Sequence, residues 1–421
     1  MPAQLRAPSS PIPANFQRAI DAAARLVAEN GIKGTSLRDV GLEAGVNFGN
    51  LATYFGGKDK IIAECFWQLA ESNLQRTRQR FAEAVSLGLS PYYAASILWE
   101  LCDDDASRHR TETLAIMELV LSADGNPLFS EVMAAWLRER CELFRQWGHT
   151  FDLPEVASDT LSLLVLTESC FHLSCGDSLH YRLVARGSMA EIVGIFLKIG
   201  SSAVDSLPDL AEAFFAQSRE AANDETEAEA AKGTRAQIIE AAADIVAEQG
   251  LDSVSSRLAA QKAGISLGLI SYYFPSVTDL ALAGLNRLLG RSIEEIENPE
   301  TRSPVIERML SERRRPVTLP RASLLAYRSM LQLALAAGRM PSQASAGQRL
   351  RRGMGAVAMR AIDFADTRRN SRTLASSFAL ITAALFTILP ALPAEDYAID
   401  LPALLQFLTF DMLGFPDIPE A

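Results

Sequence analysis

In QIIEAAADIVAEQG (237–250), Ile239, Ala242, Ala243 and Val246 fall at i, i+3, i+4 and i+7, which lays one apolar stripe along a helix of 3.6 residues per turn. Gly250 stands where the cap of such a helix belongs. The Ala-rich SSRLAAQKA (255–263) predicts a second, shorter helix. The same order of polar and apolar positions occurs earlier in the chain. A shift of 219 residues lays AIDAAARLVAENGIKGTSLRDVGLEAGVNFGNLATYF (19–55) on IIEAAADIVAEQGLDSVSSRLAAQKAGISLGLISYYF (238–274) without a gap. Ile20, Ala23, Ala24 and Val27 land on the stripe, Gly31 on Gly250, and Ala44 and Gly45 on Ala263 and Gly264. Arg38 matches Arg257, Gly49 matches Gly268, and Tyr54 with Phe55 matches Tyr273 with Phe274.

The repeated scaffold is physically a helix-turn-helix. Its second and third helices meet at a steep angle through a small residue and a glycine. The third helix sets Val46, Leu51 and Phe55, or Ile265, Ile270 and Phe274, against a core. Its other face offers Asn47, Asn50 and Thr53, or Ser266, Ser271 and Tyr272, to a partner. Gly264, Ser266 and Gly268 also spell the G-x-S-x-G of a hydrolase nucleophile elbow. That elbow needs a strand running into the serine, whereas a helix precedes Ser266, and Asn47 replaces the serine in the first copy. With no other catalytic dyad in the chain, the expectation is that this is not an enzyme.

After each Tyr-Phe a long connecting helix is expected, KDKIIAECFWQLAESNLQRTRQRF and TDLALAGLNRLLGRSIEEIE. TETLAIMELVLSA, EVMAAWLRERCELFRQW and RASLLAYRSMLQLALAAG read as further helices. Two strongly apolar helices close each half: DTLSLLVLTESCFHLSCG with MAEIVGIFLKIGSSAV, and RTLASSFALITAALFTIL with DLPALLQFLTFDML. Such apolar surface must find a mate. LASSFALITAALFTILPAL (374–392) has Ser, Thr and Pro and no basic flank at its far end, so it reads as a buried bundle helix rather than a membrane span. The chain is therefore expected to be all-α. The domains expected are a Pro-rich mobile arm (1–14), helix-turn-helix domains at 15–60 and 234–279, helical domains at 61–217 and 280–421, and an acidic linker at 218–233.

Composition alters this picture little. The 421 residues are 48% hydrophobic and 7% aromatic, which favours helical cores. The net charge of −11 is uneven, with 19 Lys and Arg against 28 Asp and Glu in residues 1–222 and 21 against 23 in the rest. An acidic body can sit behind a neutral or mildly basic face, because screening sets in within about 8 Å. The five cysteines lack disulfide-framework spacing and no signal peptide is evident, which predicts a reduced cytoplasmic setting. Cys170, His172 and Cys175, with Asp177 and His180, scatter around a helix instead of converging as zinc ligands, so no metal or cofactor is expected. The arginine clusters at 313–315, 349–352 and 368–372 read as solvated faces or pocket rims.

TSLRDVGLEAGVNFGNLATYFGGKDKI (35–61) and GISLGLISYYFPSVTDL (264–280) resemble the TetR family of bacterial transcription regulators, each over about 45 residues. The pattern departs from the family at Ala52 and Ser271, where many members carry an aromatic residue, and at Val277, which replaces the lysine kept as Lys58. The resemblance implies two tandem units that bind double-stranded DNA, a small-molecule effector, and a last helix pair that forms a dimer interface. By position in the motif, Asn47, Phe48, Asn50 and Thr53 face bases, with Ser36, Arg38, Tyr54 and Lys58 on phosphates. In the second unit these become Ser266, Leu267, Leu269 and Tyr272, with Ser255, Arg257 and Tyr273 on phosphates. Trp99, Met117, Phe129 and Trp136, with Trp147, are candidates to line an effector pocket. Because one chain holds both copies, the expectation is a monomeric pseudo-dimer in which 159–204 pack against 373–413. The resulting function is a ligand-responsive repressor reading an asymmetric operator. The alternative is a helical interaction protein with one or both DNA-binding units decayed.

Overall fold

The computed structural model describes residues 12–199, 207–222, 233–298, 321–365, 371–392 and 399–415. The fold is all-α, and no strand occurs among the described residues. The chain forms two compact units, Met1–Leu173 with Thr387–Asp400, and Ser174–Phe386 with Leu401–Ala421.

The first unit holds α1 (Ala14–Gly34), α2 (Leu37–Ala44), α3 (Phe48–Phe55), α4 (Lys58–Ser86), α5 (Ala94–Ala106), α6 (Arg110–Ser122), α7 (Pro127–His149) and α8 (Glu155–Cys175), the last two residues of which belong to the second unit. α4 has 29 residues and at about 1.5 Å per residue runs for roughly 43 Å. It packs against α1 and α7, and α1 also lies along α6. The core between α4 and α7 is aromatic. Phe66 meets Phe129 edge-on at 5.3 Å, Phe81 stacks on Trp147 at 4.7 Å, and Trp136 Nε1 donates to Asn73 Oδ1 at 3.2 Å. α8 is buried on all sides from Ala157 onward, with polar residues such as Asp159, Glu168 and His172 included. Ser130 Oγ donates to the Ala391 carbonyl, which ties a segment of the second sequence half to α7.

The second unit holds α9 (Leu179–Leu197), α10 (Leu207–Ala222), α11 (Thr234–Gln249), α12 (Ser256–Ala263), α13 (Leu267–Tyr273), α14 (Val277–Glu297), α15 (Arg321–Arg339), α16 (Ala344–Gly353), α17 (Ala356–Ala365), α18 (Arg372–Ile388, its last two residues in the first unit) and α19 (Leu401–Phe407), which continues into a π turn at Leu408–Met412. α9 and α10, from the first half of the sequence, pack here among helices of the second half. Thr373 Oγ1 donates to Glu191, and Phe196 lies 4.8 Å from Phe407. The Arg372 guanidinium sits 4.6 Å from the Phe215 ring centre. The stretch Arg372–Ala391 is long and apolar enough to cross a membrane, yet 78% of it is buried inside the protein.

Several details differ from the sequence reading. α9 starts ten residues before Met189, capped by Ser178, whose Oγ accepts from Tyr181 N. α10 runs to Ala222 and so occupies the start of the expected linker; residues 223–232, and the arm up to residue 11, lie outside the described residues. Arg351, expected on a solvated face or pocket rim, is fully buried and donates through Nη1 to Ser376 Oγ at 2.7 Å. A buried guanidinium needs such acceptors to offset its lost hydration. The cluster at 313–315 and residues 368–370 lie outside the described residues.

Candidate nucleic-acid interface

The two repeats share one backbone. Gly31 (φ 70°, ψ 170°) kinks α1 three residues before its end and Gly250 (φ 82°, ψ 173°) stops α11, both in a conformation that only glycine adopts without strain. Gly45 (φ 66°, ψ 34°) and Gly264 (φ 68°, ψ 31°) form the left-handed turn before the third helix. Hydrogen-bonding side chains start the short helices. Ser36 Oγ accepts from Asp39 N at 3.2 Å while Asp39 accepts from Ser36 N, a reciprocal cap for α2. Ser255 caps α12 through Leu258 N at 3.2 Å. Asn47 Oδ1 accepts from Gly49 N at 2.8 Å, and Ser266 Oγ accepts from Leu269 N at 3.4 Å, so both third helices begin on a polar cap. The serine of the G-x-S-x-G run is thus a helix cap that follows a helix and a turn.

One buried residue anchors each third helix, Leu51 in α3 and Ile270 in α13, both 0% exposed. The opposite faces are open. Asn47, Phe48, Asn50 and Thr53 are exposed on α3, and Ser266, Leu267, Leu269 and Tyr272 on α13. Around them Ser36, Arg38, Tyr54 and Arg257 are exposed, and Lys58, Ser255 and Tyr273 half-buried. Some of these groups already have internal partners. The Arg38 guanidinium lies over the Phe48 ring at 5.4 Å, and Thr53 Oγ1 donates to the Gly49 carbonyl at 2.9 Å. Lys58 Nζ donates to the Ile32 carbonyl at 2.6 Å, which closes the end of α1 and leaves the ammonium two further donors. Tyr54 is stacked on Phe16 at 3.8 Å, a brace at the start of α1 that the sequence reading missed because Phe16 borders the Pro-rich arm. α2 is tied to α1 by Arg25 and Glu43 at 2.6 Å, and α12 to α11 by Lys262 and Glu248 at 2.7 Å, with the charges reversed.

A family model described as bacterial regulatory proteins, tetR family, matches residues 19–65 and 238–283, the two segments that share this backbone. The chain is a TetR-family protein with two tandem units. A crystal structure of a candidate transcriptional regulator from Streptomyces coelicolor A3(2) is 21% identical and covers 43% of this chain and 99% of its own, with a TM-score of 0.34. No curated protein matches the chain. The TetR-type domains make it a DNA-binding regulator, and α3 and α13 occupy the place of the recognition helices.

The residues expected to line an effector pocket are spread through a packed core. Trp99, Met117, Phe129 and Trp136 are all buried, and Trp99 stands edge-on to His172 at 5.1 Å. None of the four lines the cleft of about 220 Å³ that opens between α4, α5 and the turn before α6. That cleft is walled by charged side chains, which an aromatic search of the sequence passes over. His172 Nε2 lies 3.0 Å from Asp103 Oδ1, and His180 Nε2 lies 2.8 Å from the Leu210 carbonyl. All five cysteines are buried, and burial pushes the Cys141 thiol up to about 12.

Proposed function

We propose that this TetR-family regulator is a ligand-responsive repressor that reads an asymmetric operator as a single chain. The observation that carries the reading is one scaffold with two unlike faces. At matched positions Asn47, Phe48, Asn50 and Thr53 stand against Ser266, Leu267, Leu269 and Tyr272. Asparagine can pair with both polar atoms of an adenine edge, whereas leucine offers only apolar contact, for example to a thymine methyl. Ser36, Arg38, Tyr54 and Lys58 in the first unit, and Ser255, Arg257 and Tyr273 in the second, are assigned to the phosphates that set register. The half-site under α3 is then the more selective. The half-site under α13 relies on shape and methyl contacts, and Val277, 45% exposed, brings no charge to a phosphate.

The pseudo-dimer is supported by the seating of α9 and α10 among α16, α18 and α19, which uses apolar helices of both sequence halves in one core. A small molecule regulates such a protein only by binding one arrangement of the readers more tightly than another. Selection from a random duplex pool, with the mass of the complex measured alongside, is expected to return a non-palindromic site with one chain per duplex. A perfect inverted repeat, or two chains as the minimal complex, overturns this reading.

The exposed Leu267, Leu269 and Tyr272 favour one specific second reading, in which α13 docks a protein instead of DNA. In that case substitutions on α13 leave the salt dependence of DNA retention unchanged, while those on α3 do not.

A further inference from the structure

The cleft of about 220 Å³ in the first unit is smaller than the roughly 300 Å³ at which pockets for drug-sized ligands begin. Its wall carries opposite charges in equal number, Arg76, Arg80 and Arg108 against Glu83, Asp104 and Asp105, and Leu101 is its one aliphatic side chain. The charges form a chain of shared ion pairs, in which Arg80 also lies 3.6 Å from Glu83. Arg80 and Arg108 share Asp104, the second at 3.3 Å. Arg76 Nη1 meets Glu112 Oε2 at 2.7 Å behind the wall. Arg76 Nη2 is buried without a hydrogen-bond partner and stands 3.8 Å from Asp105 Oδ1, beyond hydrogen-bond length. A buried donor left in that state is costly, and a shift of the Arg76 head that brings it to a ligand oxygen relieves that cost.

We propose that this cleft binds a free L-amino acid, with the ligand carboxylate on the Arg76 and Arg108 guanidinium groups and its ammonium on Asp105 and Glu83. The assignment follows from charge balance. A monoanion must compete with Asp104 and Asp105 for the same guanidinium groups, and a metal cation meets three of those groups at the wall. A neutral molecule with separated charges adds an acceptor for Arg76 and a donor for the carboxylates without changing the net charge. Burial pushes the Asp105 carboxyl up from the usual range, and an ammonium beside it draws it back. Arg108 is 74% exposed and stands at the mouth.

The proposal rests on the ligand-responsive reading and names its effector class. Both sides of the cleft lead to the first DNA-binding domain. α4 carries Arg76 and Arg80 and begins three residues after α3, and α6, which holds Glu112, packs along α1.

The test is isothermal titration of the full chain with the twenty common L-amino acids, followed for any binder by its carboxamide and its N-acetyl form. Operator retention is measured in parallel with and without the amino acid. The expected result is saturable binding by at least one amino acid, weakened about tenfold or more when either charge is blocked and by a similar factor in Arg76→Gln and Arg108→Gln. If Arg76→Gln does not fold, the exposed Arg108→Gln decides. Absence of binding by all twenty overturns the proposal, as does unchanged affinity of the blocked forms or of both variants. When such a failure comes with intact operator retention, the DNA-binding reading stands. Binding that leaves operator retention unchanged overturns the effector role assigned to the cleft.

Discussion

Asn47 caps α3 and in the proposed reading also faces the bases, and one substitution can separate the two. Its side-chain carbonyl caps α3 by accepting from Gly49 N, while its amide donors point to no partner that the cap requires. Asn47→Asp keeps an acceptor for the cap, removes the donors and adds a charge that phosphates repel. The expected outcome is stability within about 0.5 kcal/mol of the parent, since an aspartate caps as well, together with a large loss of operator affinity. Asn50 is exposed and caps nothing, so Asn50→Ala is expected to lose about 1 to 3 kcal/mol of affinity for the cognate site with no change in melting. Paired thermal unfolding and binding titrations check both. Operator affinity unchanged in Asn50→Ala means that α3 does not lie in the groove.

At the scale of elements, the turns carry the argument because their backbones repeat. Gly45 and Gly264 lie in the left-handed region with open space where a Cβ would go, so an alanine meets backbone strain and no collision. Gly45→Ala and Gly264→Ala are each expected to cost about 1 to 2 kcal/mol, and by similar amounts. Chemical denaturation of the two variants measures this, and a neutral Gly45→Ala contradicts the turn geometry. The same punctuation explains why both helix-turn-helix domains were legible in the sequence: Gly31, Gly45, Ser36 and Asn47 mark stops and starts that local chemistry decides alone. α9 was only half legible, because the polar run HYRLVARGS hides the helix that Ser178 starts. The cleft was not legible at all. Its residues come from 76–83 and 101–109, and only the packing of α4 on α5 brings them together. Periodicity likewise cannot separate a packed tryptophan such as Trp136 from one that lines a cavity.

For the whole molecule, the feature with the widest reach is the seating of α9 and α10 among helices that follow them by about 120 residues or more. A protease site inserted between Ala222 and Gly233 is expected to yield two fragments that co-elute in size-exclusion chromatography and separate only in denaturant. Separation in native buffer contradicts the shared core. The Thr373 contact to Glu191 and the Phe196 contact to Phe407 mean that the fragment ending at residue 222 leaves with apolar surface bared, so it is expected to aggregate when expressed alone. There is also a consequence for how the cell's supply of this protein is read out. A repressor assembled from separate subunits loses occupancy with the square of its concentration once it falls below the dimer dissociation constant. Two readers held in one chain never dilute apart; after the first engages, the second meets its half-site at a local concentration set by the tether, in the millimolar range for short connections. On the asymmetric operator proposed above, occupancy then follows the first power of protein concentration, and a few molecules per cell give a graded rather than a threshold response.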